Sequence, residues 1–576
     1  MTSPRKRWEI MPPAPAELLA SFPDLPPLIV QLLYNRQIRT SDEIEAFLTR
    51  SFALDNPFLL KGMNEAVTRL RQAIRTRETI AVYGDYDVDG VTATALLVPT
   101  LRALGAQVIP YIPNRMDEGY GLNNAALDAL AGQGIRIIVT VDCGVRSVAE
   151  AAFARRLGLD LIITDHHAVA NELPSAVAVI DPRREDDRYP FKHLAGVGLA
   201  FKLAQALLRA ERQVPVSKVK TLPEEEDLLD LVALGTVADL APLIGENRTL
   251  VSRGLEKLRE ARRPGVAAML EEAALQPDQV GATAIGFVLG PRLNAAGRLD
   301  DAIASYNLLT TSSVEEATAL AQQLGAQNRE RQQLMAEMVE RAREEVRTLG
   351  DDLIYVLANP AYTVGIAGLV ASRITEEFYR PTLVIALEEK HSKGSARSIE
   401  AFHITKALDE CSELLLRHGG HAAAAGFSIS NDRIDEFRSR MRDIAARQLA
   451  ADNLVPALRI DVALPLTQAN WETLALVEGL QPFGVGNPYP TFVSYNVQVR
   501  DCRPVGSERT GLKLKLSDGV AVWDAIAFQQ DIQADSFPRH IDVVYSLQSR
   551  VWNNEKRMEL VVKDLRPSEG RACPST

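Results

Sequence analysis

Cysteine is scarce in this chain of 576 residues. The four, at positions 143, 411, 502 and 573, are widely scattered and form no Cys-x-x-Cys pair. That argues against a thiolate zinc ribbon and a disulfide framework, and leads us to expect a reducing, cytoplasmic setting. No apolar run approaches the roughly 18 residues of a membrane helix, so no membrane span is expected. The opening stretch MTSPRKRWEIMPPAPAELL is basic and then proline-rich, without the apolar core of a secretory signal. A basic excess is also missing: 64 Lys and Arg stand against 75 Asp and Glu, a net charge of −11. A uniformly basic nucleic-acid coat is thereby excluded. Nucleic acid itself is not, because only the local sign of a groove governs phosphate contacts.

What is present reads as globular, with 46% hydrophobic and 24% charged residues and a length of several domains. A proline-punctuated helical segment is expected over 1–55. Over 56–312, β-branched runs such as TIAVYGD, QVIPYIP, IRIIVTVD and DLIITDHH first alternate with helical stretches, and a helical region follows. The alternation predicts a parallel sheet covered on both faces. The acidic run Glu224–Asp227 reads as a solvated helix start. Residues 313–347 hold no proline and a single glycine, and predict a connecting helix of about 50 Å at ~1.5 Å per residue. A second α/β domain is expected over 348–452, and a small antiparallel barrel over 453–576, from period-two strands with SDG and WNNEK turns.

Carboxylates fall where these strands end: Gly84-Asp85-Tyr86-Asp87-Val88-Asp89-Gly90, Val141-Asp142-Cys143-Gly144 and Thr164-Asp165-His166-His167. In an open parallel sheet such ends line one edge, where ligands bind. Taken singly, each has an ordinary explanation. The first could be an acid-rich turn or the start of a calcium loop, although the twelfth position, where such a loop places Glu, is Leu96. The others could be a strand-end turn and a capping Asp beside two satisfied histidines. Their succession on consecutive strand ends favours one joint site. So many like charges converge only around cations, and oxygen ligands with imidazole suit Mn²⁺ or Mg²⁺. Asp87 and Asp89 can face two different ions with Asp142 between them, an arrangement suited to attack of water on a phosphodiester.

GDYDVDG, VDCG, TDHH and LGTVADLAPL follow, in order, the motifs of the DHH phosphoesterase superfamily, which the chain resembles. GPRLNAAGRLDD, GSARSIEAFHI and GGHAAAAGF resemble its RecJ branch, bacterial 5′→3′ exonucleases specific for single-stranded DNA. The likeness runs from about residue 60 to 565 and includes PFGVGNPYPTF. It implies an α/β fold with a DHH catalytic lobe, a long connecting helix, a second lobe of DHHA1 type and a C-terminal OB-like barrel. It also implies two divalent ions, Mn²⁺ or Mg²⁺, a place in DNA repair and recombination, and a helicase and single-strand-binding protein as partners.

Carried over by residue, the resemblance makes Asp87 and Asp89 ligands of the two ions, Asp142 their bridge, and His166 with Asp239 the completion of the second site. Asp85 touches the ions directly or through a neighbour. His167 would face the scissile phosphate, Asp165 would orient the imidazoles, and Asp181 would be a turn residue. For substrate, Gly419-Gly420-His421 forms a flexible turn open to phosphate, Arg292 and Arg298 flank a loop containing Gly297, and Arg397 sits in a Ser-Ala-Arg-Ser turn. Arg115 and Tyr120 could hold a nucleotide near the metals, with a structural role for Tyr120 equally open. In the barrel, Leu512, Leu514 and Leu516 take one face and Lys513 and Lys515 the other. Gln548, Arg550 and Trp552 likewise share a face, for single-stranded DNA or simply for solvent.

Two departures stand out. Ala361-Tyr362-Thr363-Val364-Gly365 replaces a Trp-His found in many relatives, and Cys143 stands where Asn is frequent. Two other readings compete. One is a phosphodiesterase of short oligonucleotides or cyclic dinucleotides, whose relatives usually lack the long helix and barrel. The other is a non-catalytic DNA-binding scaffold, which would have lost metal ligands that are all present here.

Overall fold

The computed structural model describes residues 6–115, 117–219, 221–505, 511–528, 538–552 and 555–569, except for the side chains of 451–452 and 551–552. Trp552 is therefore outside the described side chains. The chain forms two compact units, one of residues 45–333 and 482–488, the other of 1–44, 334–481 and 489–576.

The first unit is built on five parallel strands: β1 (Thr79–Gly84), β2 (Gln107–Tyr111), β3 (Ile137–Val141), β4 (Asp160–Thr164) and β5 (Ala178–Ile180). Their spatial order is β2-β1-β3-β4-β5, so the chain reverses its direction of growth between β1 and β3. Period-two side chains explain why the strands read as unbroken apolar runs. Ile80, Val82, Val139 and Ile162 enter one core, while Ala81, Tyr83, Ile138 and Leu161 enter another on the opposite face. Helix α1 (Val88–Ala103) is buried along nearly its whole length beneath α2 (Gly196–Gln213) and α3 (Leu229–Ala238). Helix α4 (Gly290–Leu299) follows a single π-turn, Ile285–Leu289. The acidic run precedes α3 as a short 3₁₀ turn, Glu225–Leu228.

Helix α5 (Val314–Leu349) carries the chain out of the first unit into the second. There β6 (Tyr355–Asn359), β7 (Thr382–Ala386), β8 (His391–Arg397), β9 (Leu415–Gly420) and β10 (Ala424–Ser430) form a sheet in the order β9-β10-β8-β7-β6. Only β6 and β7 run parallel, the remaining pairs being antiparallel.

The barrel consists of β11 (Phe492–Val505), β12 (Gly511–Ser517), β13 (Val522–Phe528), β14 (His540–Trp552) and β15 (Glu555–Pro567), closed by pairing of β11 with β14. The expectation of a wholly antiparallel barrel is corrected: β13 and β15 pair in parallel over Ala525–Ala527 and Leu560–Val562. A closed ring with an odd number of strands cannot alternate direction throughout, so at least one neighbouring pair must be parallel. Leu512, Leu514 and Leu516 face the barrel interior and are buried, and Lys515 is exposed. The N-terminal segment, expected to be helical, also contributes a strand. Arg7–Ile10 pairs in parallel with Ala457–Ile460, and Trp8 donates to Asp564 at 2.7 Å.

Candidate active site

The carboxyl ends of β1, β3 and β4 lie at the point where the strand order reverses, so three strands deliver acids to one edge. Asp87 caps α1, its Oδ1 accepting from the backbone N–H groups of Asp89 and Gly90 at 2.9 and 3.1 Å. Gly90 can only be glycine, because a Cβ there would fall 2.5 Å from the Asp85 backbone. Asp142, just past β3, has φ of +65°, a left-handed conformation costly for a residue with a side chain.

Three overlapping groups of donors result. Asp85, Asp87 and Asp142 form one, Asp89, His166 and Asp239 a second, and Asp142, His166 and His167 a third. Within each, the ligand atoms lie inside 4.8 Å of one another. His166 Nε2 is 3.0 Å from Asp142 Oδ1 and 3.8 Å from carboxylate oxygens of Asp89 and Asp239. Yet Nε2 of His166, Oδ1 of Asp142 and Oδ1 of Asp85 are buried with no hydrogen-bond partner. The short His166–Asp142 approach is therefore proximity without an aligned N–H bond.

Burial pushes the carboxyls of Asp85 and Asp142 well above the usual range, and neighbouring acids push further, Asp87 foremost on Asp85 and Asp89 on Asp142. Asp89 rises to about 7 and Asp239 to about 8 by burial and then by their acidic neighbours. Burial and then His167 take the His166 imidazole down to about 3, leaving a neutral ring with a free lone pair. Crowded carboxyls raised in pKa, a neutral imidazole and three buried atoms without a hydrogen-bond partner form a donor set that fits hard divalent cations. This chain's own residues thus suit Mn²⁺ or Mg²⁺.

His167 differs from its neighbour. Its Nδ1 bonds Asp165 Oδ1 at 2.7 Å, and the same oxygen accepts from the backbone N–H of both histidines. Burial alone would lower the imidazole. The Asp165 bond and the charges of Asp165, Asp239 and Asp87 outweigh it, and the pKa reaches about 9. The Tyr120 hydroxyl lies 3.4 Å from Nε2. Tyr120 in turn packs edge-on to Tyr86, with ring centroids 6.5 Å apart, and Arg115 stands 4.8 Å over the Tyr86 ring. Asp181 is a turn residue as expected, accepting from Arg183 N at 2.7 Å, with its other oxygen buried and unpartnered.

Several expected substrate groups sit differently from the sequence reading. Arg292 and Arg298 do not flank a loop, because both are on helix α4 with Gly297 between them. Glycine is needed there since the Tyr86 carbonyl lies 2.7 Å from where a Cβ would be. Arg292 is engaged by Glu272 at 2.7 Å and by the Val288 carbonyl at 2.9 Å. In the second unit, Arg397 ends strand β8 instead of occupying a turn. Gly419 and Gly420 end β9 and are not a loose turn. Gly420 has φ of +151°, the Ala424 carbonyl lies 2.4 Å from its would-be Cβ, and His421 N bonds that carbonyl at 2.7 Å.

Sequence reasoning overlooked four residues around the acids. The N–H groups of Gly196 and Val197, at the start of α2, donate to the Asp89 carboxylate at 2.6 and 2.8 Å. A Cβ on Gly196 would meet Asp142 Cβ at 2.5 Å, and one on Gly235 would meet Asp89 Oδ1 at 2.8 Å. Glu118 holds the loop bearing Arg115 and Tyr120, accepting from Tyr111 Oη, Asn114 N and Asn123 Nδ2 at 2.6, 2.8 and 3.0 Å. The Gly-Val-Gly that opens α2 was the visible signal for a helix N-terminus facing an anion.

Comparison with known proteins gives a consistent result. Residues 79–236 match the DHH family, N-terminal domain, residues 350–447 the DHHA1 domain, and residues 460–564 the RecJ OB domain. The single-stranded-DNA-specific exonuclease RecJ of Bacillus subtilis is 38% identical over 577 residues, covering 99% of this chain and 72% of that protein. The Escherichia coli protein of the same name is 35% identical, covering 94% and 96% respectively. A crystal structure of RecJ in complex with Mn²⁺ from Thermus thermophilus superposes with TM-score 0.84 at 30% identity, over 99% of this chain and 80% of that one. A second, in complex with Mg²⁺, gives 0.78 over 98% and 79%. With its strand-end acids, its mixed second sheet and its closed barrel, the chain belongs to the RecJ family of the DHH superfamily.

Proposed function

We propose that the protein is an exonuclease that degrades single-stranded DNA from its 5′ end, releasing 5′-mononucleotides, with two Mn²⁺ or Mg²⁺ ions. The observation that carries this reading is the set of three overlapping donor groups around Asp142 and His166, with buried acceptor atoms left unpartnered. Asp85, Asp87 and Asp142 would hold one ion, and Asp89, His166 and Asp239 the other, with Asp142 shared. Bound there, the ions would supply positive charge to a phosphoryl group and acidify an attacking water.

The chain's own groups do the rest. Asp165 fixes the His167 ring through Nδ1, which leaves Nε2 as a proton carrier able to bond a phosphoryl oxygen or protonate a leaving oxygen. Arg115 and Tyr120, on the loop held by Glu118, would contact the terminal nucleotide, and Arg298 on α4 a neighbouring phosphate. Arg292 would act by bracing α4 through Glu272. Arg397, Gly419, Gly420 and His421 would bind phosphate from the second unit, and Lys513, Lys515 and Arg550 would contact more distant strand from the barrel. A role in DNA repair and recombination follows, in the cytoplasm, with a helicase supplying unwound strand and a single-strand-binding protein coating it. Among the described residues no helix is long and apolar enough to cross a membrane.

The test is digestion of single strands labelled at either end, beside the matching blunt duplex, with Mn²⁺. Loss of the 5′ label as mononucleotide with the duplex spared is expected. Intact strands beside cleaved dinucleotides would move the assignment to a small-nucleotide phosphodiesterase.

A further inference from the structure

Asp239 ends helix α3, and the residue after it is anomalous twice over. Leu240 is 68% exposed and has φ of +60°, a left-handed backbone conformation that is costly for a leucine. Packed against α3 is the π-turn Ile285–Leu289, joined to it where the Cβ of Ala238 lies 3.6 Å from the Cβ position of Gly290. Within that turn Ile285 and Leu289 are fully buried, whereas Phe287 between them is 80% exposed. A π-turn inserts one residue into a helix, and such turns concentrate at functional sites. The turn is braced, since Arg292 bonds the Val288 carbonyl at 2.9 Å while held by the nearly buried Glu272.

On this rim, at the end of α3, backbone strain holds a leucine in solvent next to Asp239 in the chain, and a braced helical defect packed against the same helix holds a phenylalanine in solvent. Leaving a phenylalanine ring in water also forgoes the gain of burying it. A nucleobase offers apolar faces to both side chains and is joined to the phosphate that the acids, on the reading above, would receive.

We propose that Phe287 is a base-stacking residue of this enzyme, positioning a nucleotide of the single strand beside Asp239, with Leu240 as the apolar edge of the same platform. The proposal rests on the nuclease reading above. It makes binding tolerant of sequence, because every base has a stacking face, and it demands an unpaired base.

The experiment is steady-state cleavage, with Mn²⁺, of a single strand and of the same strand carrying abasic sites near its 5′ end. Phe287→Ala is expected to raise KM for the ordinary strand roughly tenfold with kcat nearly unchanged, and Phe287→Trp to keep the wild-type value. On the abasic strand the wild type and Phe287→Ala should be equal, because the stacking partner is already gone. Equal KM values on the ordinary strand, or an undiminished difference on the abasic one, would overturn the proposal. So would a change in oligomeric state with unaltered DNA binding, which would make the rim a protein interface. Should the wild type cleave nothing, the nuclease reading fails separately. Fluorescence anisotropy of labelled strand in an Asp87→Asn background then still decides the stacking, a roughly tenfold loss with Phe287→Ala supporting it and no loss refuting it.

Discussion

Asp165 accepts His167 Nδ1 at 2.7 Å through the same oxygen that receives the backbone N–H groups of both His166 and His167. One carboxylate therefore fixes the direction of a ring and the path of the chain carrying it. Asp165→Asn should lower kcat by about 10- to 100-fold while changing KM little. Because both residues act through one ring, adding His167→Gln should cost no more than His167→Gln alone. Steady-state kinetics of the two single variants and the double variant check this, and additive losses would refute it.

Gly196 is pressed against Asp142, so Gly196→Ala must displace either the acid or the start of α2, whose N–H groups hold Asp89. Mn²⁺ affinity measured by calorimetry should fall at least about tenfold, with the circular dichroism of the fold retained.

Metal-free protein should lose stability as pH rises from about 4 until it passes the folded values of Asp89 and Asp239, about 7 and about 8. Over that range the folded state holds protons that the unfolded state has already released. The contribution is complete below the unfolded carboxyl value of about 4 and lost above the folded value. Saturating Mn²⁺ should reverse the trend, adding about 2.7 kcal/mol at a hundredfold excess over Kd. Melting temperatures in EDTA and in Mn²⁺ across this pH range give the comparison, and Asp142→Asn should lose most of the gain from metal.

Glu118 holds its loop against the tendency of burial to raise its carboxyl. The bonds from Tyr111, Asn114 and Asn123 win, and the pKa is lowered. The contribution is present at neutral pH and is lost as pH falls through the folded value, below about 4.3. Glu118→Gln should raise KM for single strands several-fold and speed amide exchange over residues 112–122. Unchanged exchange there would sink the loop-anchoring role.

Lys202 and Glu246 form an ion pair that is almost wholly buried, closed by Tyr189 Oη at 2.7 Å and the Asp55 carbonyl at 3.0 Å. Removing one partner with Lys202→Met should destabilise the unit by about 3–5 kcal/mol. Lys202→Met with Glu246→Leu should recover part of the loss, as read by urea denaturation.

The sequence alone determined the parallel-sheet lobe, the long helix and the β-rich barrel. Period-two and period-3.6 patterns report which residues are buried, and burial is local to each element. It also marked the strand ends where acids accumulate, because a parallel sheet places all its carboxyl ends on one edge. The parallel pair closing the barrel escaped it, since closure depends on which strands become neighbours.

Only the tertiary structure decided what surrounds the acids. That Gly196, far along the chain from Asp142, must lack a side chain follows from an approach of 2.5 Å that no local pattern encodes. The left-handed turn of Asp142, the engagement of Arg292 by Glu272 and the exposure of Phe287 are likewise outcomes of packing. Hydrophobic period fixes the elements because it acts within a few residues. The charge, strain and exposure of a site arise from contacts between segments far apart in the chain, and these exist only once it has folded.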